Sequence, residues 1–67
     1  MQTSSVPSLA AIRREKNFTQ ASLADALGVT SVTVSNWEAG RSSPPLKTLN
    51  AIAAVLGVTV SALLADL

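Results

Sequence analysis

Residues 19–40 read TQASLADALGVTSVTVSNWEAG, and this stretch decides the fold. Thr19 and Thr30 are favoured helix N-caps, and each has an apolar residue before it and another at the fourth helical position, as in a hydrophobic staple. Gly28 and Gly40 suit the left-handed conformation in which many helices end. The pattern therefore predicts two short helices, separated by a turn of three residues that begins with Gly28.

A turn of this length that contains glycine is what a helix-turn-helix unit requires to hold its helices at a steep angle. Outside the quoted stretch, helix signals predict a first helix over about residues 8–17, a fourth that ends near Leu56 and a fifth over about residues 60–66. We therefore expect an all-α fold, a compact bundle of five short helices. Residues 1–7 are expected to be a flexible N-terminal arm, and residues 8–67 a single helix-turn-helix domain.

The composition excludes several classes of function. The chain has 67 residues, a formal net charge of +1, and neither cysteine nor histidine. These absences remove disulfides, thiol nucleophiles, the usual zinc ligands and the commonest general base. The four acidic residues are scattered, and the three glycines form no phosphate-binding loop. We expect no catalytic residues, no metal or other cofactor and no small-molecule ligand, and the chain is predicted not to be an enzyme.

An uncharged stretch, residues 48–65, approaches the length of a membrane-spanning helix. Gly57 and the VTVS sequence after it indicate a helix end followed by a new helix start, and the apolar residues before Gly57 fall on one helical stripe. Two short core helices are therefore favoured over a membrane-associated peptide. The N-terminus shows no basic start followed by an apolar run, so no secretory signal is predicted and a cytoplasmic location is expected.

An ordered set of residues runs through nearly the whole chain. Its members are Leu9, Ile12 and Arg13, then Phe18-Thr19-Gln20, Leu23-Ala24 and Leu27-Gly28-Val29, then Val34-Ser35-Asn36-Trp37-Glu38 and Gly40-Arg41, and finally Pro44, Leu49, Ile52-Ala53, Leu56-Gly57-Val58 and Leu63-Leu64. In this order they resemble the helix-turn-helix domains of phage repressors and Cro proteins, the xenobiotic-response-element family.

The resemblance implies a lambda-repressor-like DNA-binding domain that acts as a transcriptional regulator, with repression as the expected role. Its third helix would lie in the major groove of double-stranded DNA, as half of a two-fold dimer on a near-palindromic operator. The resemblance also implies a structural ion pair between Arg13 and Glu38. That pair would offset the cost of a carboxylate in the last turn of a helix, close to the negative end of the helix dipole.

Helical spacing predicts that Val34 and Trp37 point inward from the third helix, so that the opposite face is free to meet DNA. We expect Asn36 to read adenine through its amide, and Val32 either to contact a thymine methyl group or to pack against the second helix. The outer face carries no Gln or Arg, so DNA shape is expected to contribute to specificity. The predicted base-reading residues are Ser31, Val32, Ser35 and Asn36.

Phosphate contacts are expected on both sides of the third helix. The family position of Gln20, at the first position of the second helix, implies a phosphate contact, and the free N–H groups of that helix end would reinforce it. The start of the fourth helix is expected to bind phosphate less well, because Pro45 at that point lacks an N–H. The predicted phosphate-contacting residues are Thr19, Gln20, Thr30, Thr33, Arg41, Ser42, Ser43 and Lys47.

The last two helices carry more apolar side chains than so small a core can cover. We expect a homodimer through these helices, with half-sites about 34 Å apart, which is roughly one turn of DNA. The alternative is an antitoxin or adaptor-type protein-interaction module on the same fold, whose apolar C-terminal surface binds a different chain. The predicted interface residues are Val55, Val60, Leu63, Leu64 and Leu67.

Overall fold

A computed structural model describes residues 6–65, which form five α-helices. In chain order these are α1 (Leu9–Glu15), α2 (Gln20–Leu27), α3 (Ser31–Ala39), α4 (Leu46–Leu56) and α5 (Val60–Leu64). The prediction of an all-α bundle of five short helices with a helix-turn-helix is confirmed. The first helix is shorter than expected, since it begins at Leu9 and ends at Glu15, and the predicted end of the fifth at Asp66 lies outside the described residues.

Side-chain hydroxyls set the starts of α2 and α3. Thr19 Oγ1 accepts a hydrogen bond from Ser22 N at 2.9 Å, and Ser22 Oγ accepts one from Thr19 N at 2.9 Å, which completes a capping box. Thr30 Oγ1 accepts from Thr33 N at 3.2 Å. Both predicted N-caps are therefore confirmed, and each satisfies a backbone N–H that the helix itself leaves without a partner.

The turn between α2 and α3 depends on Gly28. Its φ of +73° lies in the left-handed region, which glycine enters without steric cost. Two backbone hydrogen bonds close the end of α2, from Gly28 N to Asp25 O at 3.3 Å and from Val29 N to Ala24 O at 3.0 Å. This Schellman-type ending reverses the chain within three residues, so that α3 can start at once and pack against α2.

The end of α1 has the same geometry without a glycine. Asn17 has a φ of +65°, and it is the only non-glycine residue among 6–65 with a positive φ. Phe18 N donates to Arg13 O at 2.9 Å, the same pattern as at the end of α2. Asparagine is the residue that most often replaces glycine at such helix ends, because its short polar side chain tolerates the left-handed conformation.

The core takes side chains from all five helices. Leu9, Leu23, Ile52 and Leu63 are among its fully buried members, and Ser8 N and Oγ hydrogen-bond to Leu63 O at 3.3 Å and Ala65 O at 2.5 Å. The two ends of the described chain are thereby joined. The full set of buried apolar residues is Val6, Leu9, Leu23, Ala24, Val34, Trp37, Leu49, Ile52, Ala53, Leu56 and Leu63.

Val6 departs from the predicted division into arm and domain. The sequence assigned it to the flexible arm, but it is only 2% exposed and its carbonyl accepts a hydrogen bond from Leu9 N at 3.0 Å. A β-branched apolar side chain just before α1 can fill the core, and burial of its surface stabilises the folded state. The other residues of the predicted arm that fall in 1–5 lie outside the described part of the chain.

The uncharged C-terminal stretch is interrupted as predicted. α4 ends at Leu56, Gly57 adopts a left-handed conformation with a φ of +69°, and Thr59 caps α5 by accepting from Ala62 N at 3.1 Å. Within residues 6–65, none of the helices has both the length and the apolar content that a bilayer crossing needs.

Candidate nucleic-acid interface

The third helix is held to the core along one side. Val34 is fully buried and Trp37 is 4% exposed, and the two lie three residues apart on the same stripe. α2 and α3 pack directly against each other across the turn. The predicted inward face of α3 therefore coincides with its buried face, whereas Ser31, Val32 and Ala39 are exposed.

The four residues predicted to read bases share the outward side of α3. Ser31 is exposed, and Ser35 and Asn36 are half-buried. Val32 is 66% exposed, so the alternative in which it packs against α2 is disfavoured. All four side chains are short and uncharged. Such a surface lets the helix backbone come close to the edges of base pairs in a major groove, which is wide enough to admit an α-helix.

Asn36 and Arg41 are joined to each other by hydrogen bonds that were not among the expectations from the sequence. Arg41 Nη1 donates to Asn36 Oδ1 at 3.3 Å, and Arg41 N donates to Asn36 O at 2.9 Å. The backbone bond arises because Gly40 ends α3 with a φ of +78° and folds the following residue back over the last turn. The sequence carries a signal for this contact. Arg41 directly follows the helix-ending Gly40, and at such helix ends the N–H of that residue bonds to the carbonyl five positions earlier.

A buried ionic cluster ties α1, α2 and α3 together. Arg13 Nε lies 2.6 Å from Glu38 Oε2, and the two side chains are 8% and 9% exposed. Arg13 Nη1 also donates to Phe18 O at 2.8 Å, and Gln20 Nε2 donates to Glu38 Oε1 at 3.0 Å. Within residues 6–65, no buried side-chain nitrogen or oxygen lacks a hydrogen-bond partner.

This cluster contains the pair that the family resemblance implied, and it adds Gln20 to that pair. Sequence reasoning gave Gln20 a phosphate contact and did not foresee its bond to Glu38, because the two residues are 18 positions apart. The donors around Glu38 offset its position in the last turn of α3, near the negative end of the helix dipole. The starting residue of α2 is thus fixed relative to the last turn of α3.

The residues predicted to contact phosphate fall into two groups. At the start of α2, Thr19 and Gln20 line an open groove together with Arg14 and with Ser31 of α3. Arg14 is exposed and was not among the predicted site residues, although its basic charge beside a helix start was a visible signal.

The second group follows or flanks α3. Thr30 Oγ1 and Thr33 Oγ1 lie 3.0 Å apart at its start, so both hydroxyls take part in the helix cap. Past its end, four exposed side chains lie in the segment that leads into α4. They are Arg41, Ser42, Ser43 and Lys47.

The predicted dimer surface is partly wrong. Leu63 is fully buried in the core, because it faces inward on the short α5, and it is not available to a partner. Val55 and Val60 are half-buried and pack against the core, whereas Leu64 is 47% exposed. Leu67 lies outside the described residues.

One further apolar side chain is exposed that sequence reasoning missed. Leu46, at the first position of α4, is 71% exposed. It follows Pro45, which caps α4 without a side-chain hydrogen bond.

Three curated relatives are each 38% identical to the chain. They are the HTH-type transcriptional activator BcrR of Enterococcus faecalis, matched over 79% of this chain, an immunity repressor protein of Bacillus phage phi105, over 84%, and the SPbeta prophage-derived HTH-type transcriptional regulator YonR of Bacillus subtilis, over 78%. The chain spans 26%, 39% and 48% of the length of these relatives.

The fold also matches a solved structure, that of a hypothetical transcription factor, NHTF, from Neisseria. The TM-score is 0.81 at 30% sequence identity, and the match covers 91% of this chain and 70% of the other. A family model described as helix-turn-helix, HTH_3, matches residues 9–63. A family of helix-turn-helix regulators is not an enzyme family, in agreement with the sequence prediction. The chain therefore belongs to the HTH_3 family of helix-turn-helix domains, the family that its resemblance to phage repressor and Cro-type domains predicted.

Proposed function

We propose that this chain binds double-stranded DNA in a sequence-specific manner, with α3 in the major groove, as the DNA-binding domain of a transcriptional regulator. The observation that carries the proposal is the division of α3 into two faces. Val34 and Trp37 hold one face in the core, while Val32 on the other is 66% exposed. An exposed valine in a helix loses rotamer freedom without burying surface, unless it meets an apolar group such as a thymine methyl.

The phosphate backbone would be contacted on both sides of α3. Thr19, Gln20 and Arg14 line the groove on one side, and the exposed Arg41 and Lys47 lie beyond the other end of the helix. The net charge of +1 is too small to hold DNA by itself, so a few well-placed cations have to supply the electrostatic part of the affinity. Because phosphate contacts fix the register of a protein on the duplex, these groups would set the depth at which α3 enters the groove.

A homodimer on a near-palindromic operator completes the proposal. One short reading helix with no Gln or Arg on its face makes few direct base contacts, so two copies are needed for tight and specific binding. Exposed Leu64 and half-buried Val55 and Val60 offer an apolar surface near the C-terminal end for that dimer. The relatives include an activator and an immunity repressor. Repression is the simpler outcome, since it requires only that the operator be occupied. A domain that binds DNA would act where the DNA lies, in the cytoplasm.

Selection of bound duplexes from a random pool tests this proposal. We expect the selected duplexes to share a motif with two-fold symmetry, whose half-sites are centred about 34 Å apart. Tight binding to the motif should fall steeply with salt, with a slope of roughly −0.9 per phosphate contacted. A pool that shows no enriched motif after several rounds, with equal affinity for scrambled duplexes, would contradict sequence-specific binding.

A partner-binding module remains the second candidate because of two exposed leucines. Leu46 is 71% exposed and Leu64 is 47% exposed. If the domain acts chiefly on another protein, Leu46→Lys should abolish binding of that protein and leave any DNA affinity unchanged. The absence of an enriched DNA motif would favour this candidate over the first.

A further inference from the structure

The amide of Asn36 has a defined orientation because of its neighbour. A guanidinium group carries only hydrogen-bond donors, so the amide atom that faces Arg41 Nη1 at 3.3 Å has to be the oxygen, Oδ1. The second atom of the amide, Nδ2, is then the one left to donate elsewhere. The backbone bond from Arg41 N to Asn36 O, at 2.9 Å, holds the two residues together independently of the side chains.

This orientation bears on which base Asn36 can read. The adenine edge in the major groove offers one acceptor, N7, and one donor, the N6 amine, so a bidentate contact needs both Oδ1 and Nδ2 of an asparagine. The guanine edge offers two acceptors, N7 and O6. With Arg41 at Oδ1, the pair presents Nδ2 of Asn36 and the remaining N–H groups of the guanidinium. That is a surface of donors, which is complementary to guanine.

We propose that Arg41 sets the base preference of Asn36, so that the pair reads guanine in preference to adenine at one position of each half-site. The inference rests on the proposed function, since it concerns the specificity of the same DNA-binding helix. It revises two expectations from the sequence: that Asn36 reads adenine, and that Arg41 contacts phosphate alone. The bond from Arg41 takes one of the two acceptor positions of Oδ1, and the other N–H donors of the guanidinium disfavour the adenine N6 amine, which is itself a donor.

Duplex selection with four proteins tests the inference: the unchanged chain, Asn36→Ala, Arg41→Ala and Arg14→Ala. The position at which Asn36→Ala loses its preference identifies the base pair that Asn36 reads. At that position we expect the unchanged chain to favour guanine over adenine by about tenfold, a ratio that corresponds to roughly 1.4 kcal/mol of discrimination. Arg41→Ala should reverse or erase this ratio at that position only.

Arg14→Ala is the matched control, because it removes another exposed arginine, one that lines the groove at the start of α2. It should weaken all duplexes alike and keep the guanine preference. A uniform loss of affinity in Arg41→Ala, with the preference at the Asn36 position unchanged, would overturn the inference while leaving sequence-specific binding intact. An adenine preference in the unchanged chain would overturn it as well. If the unchanged chain selects no motif at all, the proposed function itself fails.

Discussion

Arg13 and Glu38 join the first helix to the third through an ion pair of 2.6 Å between Nε and Oε2. Both side chains are more than nine-tenths buried. Arg13 Nη2 donates a second bond to Glu38, at 3.4 Å from Oε1, and Gln20 donates a third to the same carboxylate. The reading helix is thus attached to the rest of the domain at its last turn, while Val34 and Trp37 attach it along its length. The position of α3 depends on a charged cluster as well as on apolar packing.

Removal of one partner of this pair should destabilise the domain strongly. Glu38→Ala leaves the guanidinium of Arg13 buried without its counter-charge, and we expect the free energy of unfolding to fall by about 3 kcal/mol. Urea denaturation followed by circular dichroism measures the loss. The double variant Arg13→Met with Glu38→Leu should recover much of the stability, because an apolar pair has no desolvation cost. A loss below about 1 kcal/mol in Glu38→Ala would show that the pair is solvated and structurally unimportant.

Replacement of the helix-ending glycines should lower the free energy of unfolding only through the strained backbone conformation. Gly28 and Gly57 have φ values of +73° and +69°, and apart from the adjacent residues a Cβ at either position would meet no atom within 4 Å. Gly28→Ala and Gly57→Ala should therefore each lower the free energy of unfolding by about 1 kcal/mol. Thermal denaturation of both variants measures the two losses. A marked difference between them would mean that sterics or the turn before α3 contributes, contrary to this interpretation.

The exposed valine of α3 should report on a thymine methyl group. If Val32 meets such a methyl group, replacing that thymine by uracil should weaken binding by about 0.8 kcal/mol, the value of one buried methylene-sized group. Fluorescence anisotropy on the selected operator and its uracil derivatives measures the change. Val32→Ala should bind the thymine and uracil duplexes nearly equally. Equal binding of both duplexes by the unchanged chain would assign Val32 no part in base reading.

Two adjacent leucines of α5 should behave in opposite ways. Leu64 is 47% exposed, so Leu64→Ser should leave the free energy of unfolding within about 0.5 kcal/mol and weaken the proposed dimer. Leu63 is fully buried, so Leu63→Ser should unfold much of the protein. Sedimentation of the unchanged chain and Leu64→Ser, free and on DNA, measures the oligomeric state. A dimer of unchanged strength in Leu64→Ser would place the interface elsewhere on the domain.

The sequence predicted the local features of the fold well, because each has a short-range chemical cause. Thr19, Thr30 and Thr59 cap their helices, and glycines with positive φ end α2, α3 and α4, as their residue types indicated. The left-handed Asn17 was missed, since asparagine marks a helix end much less strongly than glycine does.

Features that depend on distant residues were harder to predict. Nothing local to Gln20 indicates that Glu38 accepts its hydrogen bond, and nothing local to α5 separates buried Leu63 from exposed Leu64 within five helical residues. Val6 was likewise placed in an arm, although it fills the core beneath α1. In each instance the environment is decided by how separate helices pack, which one helix's periodicity does not specify.

The most direct test of the central claim, that α3 reads bases in the major groove, uses the selected operator with each purine replaced in turn by its 7-deaza analogue. This change removes N7, an acceptor that faces only the major groove. We predict a loss of about 1 to 3 kcal/mol at one position in each half-site, and no loss at that position when the protein is Asn36→Ala. Unchanged affinity of the unmodified protein for every 7-deaza duplex would contradict the claim.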